Sequence, residues 1–236
     1  MKLVIDNLKK SYGDSLILDE VNYVFEEGKI YGLLGRNGSG KTTFFSCLDD
    51  LIPFEEGQAY ILNDDGSKEM LSDLNVGLVL TEPKLPDFLT GYEFIKSFME
   101  LCHIDEIDKI DEYFKMISLN EADQNKLIKD YSMGMKNKIQ ILMYIILKPK
   151  VLLLDEPLTS FDVIVAAEIK EILKDLKHNR IILFSTHILE LATSMCDEVV
   201  IIHQKHFETV DRELIHTKDF EDKIVEILKD EETVVE

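Results

Sequence analysis

The sequence predicts an α/β fold in which a parallel α/β core carries an antiparallel β layer and an inserted helical subdomain. Three observations lead to this prediction. Short apolar runs separated by turn signals open the chain. A glycine-rich segment then stands between an apolar run and a stretch of helical length, and helical periodicity dominates from about 83 to 148 before two further apolar runs. An alternation of strands and helices is typical of a parallel sheet with helical connections.

The beginning of the chain predicts strands that alternate with turns. The runs in question are KLVI, LILDEVNYVF and KIYGLLG, separated by YGDS and EEG. After the third run comes GRNGSG, and then TTFFSCLDDLI, which has helical length and an apolar face at Phe44, Leu48 and Leu51. The sequence therefore predicts an antiparallel β layer that leads into a central strand, a glycine loop and a helix.

Residues 83–148 predict a helical subdomain. Two apolar faces recur there at helical spacing, one at Ile95, Phe98 and Cys102 and the other at Ile107, Ile110, Phe114 and Ile117. A last helix carries Ile139, Leu142, Met143 and Ile146, and we expect it to stop at Pro149, because proline cannot continue a helix.

The remaining sequence completes the core. VLLLDEP and IILFSTH are apolar on both faces and flank an amphipathic stretch, which predicts buried parallel strands joined by a crossover helix. Residues 197–203 and 206–210 predict a closing hairpin. We expect one domain, with residues 1–82 and 149–210 forming the β layer and core, 83–148 the helical subdomain and 211–236 an acidic tail with a packed helix.

Composition excludes several classes of protein. The chain has 236 residues, of which 45% are hydrophobic and 31% charged, as in an ordinary folded domain. Its net charge of −20 argues against binding to nucleic acid, whose phosphate backbone needs a basic surface. The 3 cysteines are widely spaced, which is typical of a reducing compartment rather than a disulfide framework or a zinc site. No apolar run is long enough for a membrane span, and no secretory signal is evident.

The segment from Gly35 to Thr42 matches the pattern G-x-x-x-x-G-K-[ST] in full. In that pattern, glycines allow backbone N–H groups to converge on phosphate oxygens at the positive end of the following helix. Lys41 is expected to reach the β and γ phosphates, and the Thr42 hydroxyl to bind Mg²⁺. A glycine-rich turn without a ligand is the alternative, but here the loop follows a strand and opens a helix, as the pattern requires. The residues expected to bind the nucleotide in this segment are Asn37, Gly38, Ser39, Gly40, Lys41, Thr42 and Thr43.

Three further side chains stand where two predicted strands end. Asp155 and Glu156 follow the VLLL run, at the strand end where open α/β sheets bind their ligands. Asp155 is expected to share the Mg²⁺ with Thr42, and Glu156 to polarise a water toward the γ phosphate. His187 ends the next strand and is placed to hydrogen-bond the γ phosphate or the attacking water. A solvated acidic pair and a structural histidine are the alternatives for these residues taken alone.

The order and spacing of these motifs resemble the nucleotide-binding subunit of an ABC transporter, over nearly the whole chain. The resemblance implies that Tyr12 stacks on adenine and that Asp162, in Ser160-Phe161-Asp162, belongs to the D-loop. The family signature, usually L-S-G-G-Q, falls at YSMGM, residues 131–135. Ser132 and Gly134 are then expected to address a γ phosphate from the start of a helix, where an ordinary helix cap is the alternative.

Two features depart from the family pattern. The signature has Met133 and Met135 in place of the usual Gly and Gln, and the Q-loop position holds Thr81. A threonine is too short to reach Mg²⁺ as the family's glutamine does, unless a water bridges the gap or the loop shifts. The Y-S-x-G-M-x-x-K form resembles family branches linked to peptide-antibiotic and multidrug export or immunity.

The resemblance implies an ATPase that uses ATP and Mg²⁺. Two nucleotide-binding subunits, identical or different, would close head to tail around ATP, and a membrane-embedded permease subunit would convert this closure into transport, with export as the expected direction. Segment 83–92 is the expected docking surface, and the subunit would lie on the cytoplasmic face of the membrane through its partner. The sequence leaves open a soluble ABC-type ATPase that gates an assembly complex, and a weakly hydrolysing nucleotide-binding partner. A GTPase is disfavoured, because neither Asn-Lys pair continues as N-K-x-D.

Overall fold

The computed structural model describes residues 1–157, 163–210 and Ile224. The strands are β1 Lys2–Tyr12, β2 Ser15–Glu26, β3 Lys29–Leu34, β4 Glu56–Leu62, β5 Lys68–Met70, β6 Val76–Val79, β7 Val151–Asp155, β8 Ile181–Thr186, β9 Glu198–His203 and β10 His206–Thr209. The helices are α1 Lys41–Leu48, α2 Gly91–Leu101, α3 Ile110–Met116, α4 Glu121–Gln124, α5 Met133–Leu147, α6 Val163–Leu176 and α7 Leu189–Met195. Short 3-10 turns occupy Ile107–Lys109 and Ile128–Asp130.

The described chain contains an antiparallel and a largely parallel sheet. The first sheet has the order β2-β1-β4-β5, with each neighbouring pair antiparallel. The second has the order β10-β9-β3-β8-β7-β6, in which β3 pairs with β8 and β9, and β7 with β8, all in parallel. Strands β7 and β8 are buried at every position, as strands covered on both faces must be. The predicted α/β fold with an antiparallel layer is confirmed.

The local elements largely follow the sequence pattern. Strands β9 and β10 form the predicted hairpin, and α6 lies between β7 and β8 in the chain. Helix α5 begins after Ser132 and ends at Leu147, just before Pro149. One prediction is wrong: α1 ends at Leu48, where Asp49 caps it, and Leu51 is 61% exposed rather than on the apolar face. A negatively charged side chain is unfavourable at the C-terminal end of a helix, where the helix dipole is also negative, so Asp49 does not favour continuing the helix.

The chain divides into two compact units. One comprises Met1–Leu78, Lys150–Glu156 and Lys177–Glu236, and the other Val79–Pro149 and Pro157–Leu176. Helices α2 to α5 lie within 83–148 in the second unit, where the buried positions of α2 include Ile95 and Met99. Residues 158–162, which contain the predicted D-loop with Asp162, and most of 211–236 lie outside the described residues. Ile224 is described, and it is helical and buried in an apolar cluster with Leu34, Ala192, Val199, Ile201 and Val210.

A glycine in β4 tests how closely β4 packs against β1. Strand β1 shifts its register against β4 between Asp6 and Lys9, and Gly57 passes so close there that an added Cβ would overlap the carbonyl oxygen of Asn7. We expect Gly57→Ala to lower the free energy of unfolding by about 2–4 kcal/mol, because it adds overpacking to the cost of a positive φ. Urea unfolding followed by circular dichroism measures this difference.

Gly66→Ala is the matched control, since Gly66 has φ +82 against φ +89 for Gly57 but no heavy atom within 4 Å of an added Cβ. We expect the control to cost about 1–2 kcal/mol, the price of the left-handed conformation alone. Equal losses in the two variants would contradict the close approach of β4 to β1.

Candidate functional site

Two glycines of the loop between β3 and α1 lie so close to neighbouring side chains that a Cβ would not fit. Gly40, the residue before α1, has φ +103, and a Cβ added there would lie 2.9 Å from Ile17 Cγ2, so only glycine fits. A Cβ added to Gly35 would lie 2.5 Å from Ser39 Oγ. The loop therefore bends sharply with its backbone close to its own side chains, as the motif predicts.

The beginning of α1 presents polar groups that can bind an anion. The first amides of any α-helix lack intrahelical acceptors, and no side chain of the described chain caps α1 at Gly40. Ser39 Oγ is buried without a hydrogen-bond partner among the residues that the structure describes. Such buried polar groups cost free energy unless a ligand or water satisfies them. Both observations fit a loop that receives a phosphate group.

Lys41 folds back over the loop. Its side chain is 5% exposed, and Nζ donates to the carbonyl oxygens of Gly35 at 2.8 Å and Arg36 at 3.0 Å. The same Nζ lies 3.6 Å from Glu156 Oε1. An ammonium group held in this way places a positive charge over the mouth of the loop, where it can neutralise phosphate oxygens.

The two strand-end acids occupy different positions. Asp155 is 5% exposed and accepts hydrogen bonds from the Thr42 hydroxyl at 2.8 Å and the Ser185 hydroxyl at 2.6 Å. Glu156 has a left-handed backbone with φ 45, an uncommon conformation for a residue other than glycine. Strain of this kind is concentrated at functional sites, and here it accompanies a carboxylate that reaches both Lys41 and His187.

His187 lies beside Glu156, with Nδ1 3.2 Å from Glu156 Oε1. The structure thus brings together Lys41, Thr42, Asp155, Glu156 and His187, all of which the sequence singled out. Thr42, Asn37 and Gly38 are exposed and Thr43 is half-buried. Tyr12, at the end of β1, is 53% exposed.

Ser132 and Gly134 lie in the other compact unit. Ser132 is the N-cap of α5, and its hydroxyl accepts a hydrogen bond from the Met135 N–H at 3.2 Å. This is the helix start that the sequence predicts. Thr81 is half-buried and comes shortly after β6. Asp162 lies outside the described residues.

Sequence reasoning missed Ser185. Its fully buried hydroxyl donates to Asp155 and accepts the Glu156 N–H at 2.9 Å, so it ties both acids to β8. The register that pairs Asp155 with Ser185 creates this contact between residues 30 positions apart. The sequence signal for this residue was a polar side chain that directly follows the apolar run IILF, two positions before His187.

We expect Ser185→Ala to reduce ATP turnover about tenfold or more, because Asp155 and Glu156 both lose the group that orients them. A colorimetric phosphate assay over a range of Mg²⁺ concentrations measures the effect. Ser194→Ala is the control, since Ser194 is exposed on α7 and its hydroxyl donates to the Leu191 carbonyl of the same helix. Equal turnover in the two variants would show that the Ser185 hydroxyl orients neither acid.

The described residues contain no cluster of three or more His, Cys, Asp or Glu side chains that could hold a metal ion by themselves. The donor set of Thr42 and Asp155 still suits Mg²⁺, which prefers oxygen ligands and usually binds through one or two carboxylates together with substrate phosphates and water.

Among the helices that the structure describes, none is both long and apolar enough to cross a membrane.

Comparison with known proteins identifies relatives. The profile of the ABC transporter family matches residues 18–159. The bacitracin transport ATP-binding protein BcrA of Enterococcus faecalis is 32% identical over 212 residues, which cover 87% of this chain and 68% of that protein. The lantibiotic transport ATP-binding protein SrtF of Streptococcus pyogenes is 32% identical over 203 residues, which cover 86% of this chain and 87% of that protein. This chain thus spans about two thirds of the longer relative.

Solved structures share the fold. The structure of an ATP-binding subunit of an ABC transporter superimposes with a TM-score of 0.83 at 24% identity, covering 96% of this chain and 99% of that one. The ATP-binding cassette MJ0796, a dimer in a post-hydrolysis state bound to ADP and Pi, gives a TM-score of 0.74 at 23% identity, covering 89% of this chain and 99% of that one.

Proposed function

Because this chain belongs to the ABC transporter family, as one of its ATP-binding proteins, we propose that it hydrolyses ATP to power a transporter that exports a peptide antibiotic or a similar compound. The observation that carries this proposal is the convergence of Lys41, Asp155 and Glu156 on the glycine loop. A positive group and two differently placed acids at a helix start are the parts that phosphoryl transfer to water requires.

We propose that the triphosphate binds with its β and γ phosphates at the start of α1. The backbone amides of residues 37–43 and the Lys41 ammonium hold the phosphate oxygens, and Lys41 exchanges its loop carbonyl acceptors for them. Thr42 and Asp155 would hold a Mg²⁺ ion, which supplies positive charge to the phosphate oxygens when it is bound. Tyr12, with its exposed ring, offers a surface on which the adenine stacks.

We propose that Glu156 acts as the general base. In the reaction that we propose, a water oxygen attacks the γ phosphorus while the bond from that phosphorus to the bridging oxygen breaks, which gives ADP and inorganic phosphate. Glu156 accepts the proton from the water, and His187, hydrogen-bonded to the same carboxylate, orients the water or the γ phosphate. Lys41, 3.6 Å from Glu156, stabilises the charge that accumulates on the phosphate oxygens.

A second nucleotide-binding subunit would complete the site. Ser132 and Gly134 at the start of α5 present a hydroxyl and helix amides in an exposed or half-exposed position. We propose that these groups cover the γ phosphate bound to the other subunit, with Asp162 at the same interface. Closure then depends on ATP and is reversed by hydrolysis, so that ATP biases a two-state motion. A permease subunit in the membrane would be driven by this motion and would hold the chain at the cytoplasmic face.

The relatives named for bacitracin and lantibiotic transport support the choice of cargo, as does the Y-S-x-G-M form of the signature. The test is to co-express the chain with the membrane protein encoded beside it, purify the complex in detergent and reconstitute it in liposomes. We expect ATPase activity that rises when a peptide antibiotic such as bacitracin is added. A chain that purifies with no membrane protein, or a complex whose activity no peptide antibiotic changes, would argue against antibiotic export.

A further inference from the structure

Tyr12 is supported from one side by a buried lysine. Lys10 Nζ lies 5.2 Å from the centroid of the Tyr12 ring and over its face. Lys10 is 5% exposed, whereas Tyr12 is 53% exposed. One face of this ring is therefore occupied by an ammonium group of the chain itself, while about half of the residue's surface is open to solvent.

Glu55 fixes the lysine. Glu55 Oε1 accepts a hydrogen bond from Lys10 Nζ at 2.8 Å, and Oε2 accepts the Ser11 N–H, also at 2.8 Å. One carboxylate thus grips the lysine side chain and the backbone between Lys10 and Tyr12. The hydrogen bond raises the pKa of Lys10 and lowers the pKa of Glu55, so both groups remain charged. The Lys10 side chain is therefore held next to the Tyr12 ring and has less freedom of motion than an exposed lysine.

The same hairpin contacts the glycine loop. Strand β2 has one extra residue, Ile17, between the pairs Ser11–Leu16 and Lys10–Leu18, which makes a β-bulge opposite Lys10. Ile17 is the residue that a Cβ on Gly40 would meet at 2.9 Å. The ring at the end of β1 therefore belongs to the same hairpin as the residue beside Gly40, within one compact unit.

From this geometry we propose that Lys10, clamped by Glu55, is a positioning residue that holds the Tyr12 ring so that the nucleotide base stacks on the face opposite the ammonium. The inference rests on the proposed function, because it requires Tyr12 to bind the base. A cation on one face draws electron density from that side of the ring. Both this polarisation and the restricted side-chain motion favour stacking of a base on the free face.

The test separates base binding from phosphate binding. Calorimetry measures the Kd of ATP and of inorganic tripolyphosphate for the full chain and for Lys10→Met, which keeps the length of the side chain but removes its charge. We expect the Kd of ATP to rise about three- to tenfold, in line with the usual cost of immobilising one side chain on binding, and the Kd of tripolyphosphate to change less than twofold. Lys10→Arg should restore ATP binding, because guanidinium also binds aromatic faces.

Two comparisons make the result specific. Lys68→Met is the matched control, since Lys68 Nζ lies 4.1 Å from the centroid of Tyr60 in the same sheet but that ring has no proposed ligand. Adding Lys10→Met to Tyr12→Leu should weaken ATP binding no further, because the lysine acts only through the ring. Circular dichroism checks the fold, and Glu55→Gln, which weakens the clamp without removing it, should raise the Kd of ATP in the same direction if Lys10→Met does not fold.

The outcomes distinguish this inference from the proposed function. An unchanged Kd of ATP in Lys10→Met, a parallel rise for tripolyphosphate, or additive losses with Tyr12→Leu would overturn the role of Lys10. If Tyr12→Leu itself binds ATP as tightly as the unmodified chain, the proposed adenine site is wrong and the inference fails with it.

Discussion

Replacing Lys41 by alanine is expected to raise the Kd of ATP at least thirtyfold and to remove nearly all ATP turnover. Lys41 is the buried ammonium over the glycine loop, and a charge-assisted hydrogen bond to a phosphate contributes about 2–3 kcal/mol. Two loop carbonyls, those of Gly35 and Arg36, also lose their shared donor. Calorimetry with ATP and a phosphate-release assay on the complex with the proposed permease subunit measure the two losses.

Lys96→Ala is a suitable control for this variant, because Lys96 is exposed on α2. Circular dichroism of both variants shows whether the fold is kept. If a folded Lys41→Ala chain bound and hydrolysed ATP at the original rate, the assignment of the glycine loop as the triphosphate site would be wrong.

Glu156→Gln is expected to bind ATP but to hydrolyse it about 10²–10⁴-fold more slowly, which is the usual contribution of a general base. The amide keeps the shape of the side chain and removes a negative charge next to the γ phosphate, so ATP remains bound and the closed dimer accumulates. Size-exclusion chromatography with light scattering should show the mass of a dimer with ATP and Mg²⁺, and a monomer without nucleotide.

Glu171→Gln controls for the loss of a charge, since Glu171 is an exposed acid on α6 that pairs with Lys174. We expect it to turn over ATP at the normal rate and to form no stable dimer. A Glu156→Gln chain that stayed monomeric with saturating ATP would count against closure, and one that hydrolysed ATP normally would remove Glu156 from the chemistry.

The predictable part of this site is the part encoded in short segments. The glycine loop, Glu156 and His187 each come directly after a strand and Asp155 is the last residue of one, and a strand end is recognisable from a few neighbouring residues. The parallel arrangement of β7 and β8 was predictable for the same reason, because uninterrupted apolar runs indicate strands that are buried on both faces.

The remaining part depends on contacts between distant segments. Ser185 reaches Asp155 only through the register of β8 against β7, and Glu55 reaches Lys10 across 45 positions. The hydrophobic period and the composition of two strands do not specify which residue of one lies opposite which residue of the other. A β-bulge such as that at Ile17 also shifts every later residue pair. The end of α1 at Leu48 was missed because the apolar spacing continued to Leu51 beyond the residues that end the helix.

Uptake of ATP by the folded chain is the decisive measurement for the proposed function, since every proposed role depends on a triphosphate held at the start of α1. Isothermal titration calorimetry in millimolar Mg²⁺ should record saturable binding of ATP, with competition from ADP and inorganic tripolyphosphate. Absence of heat from ATP, with the chain alone and with the proposed permease subunit, would show that the glycine loop binds no triphosphate.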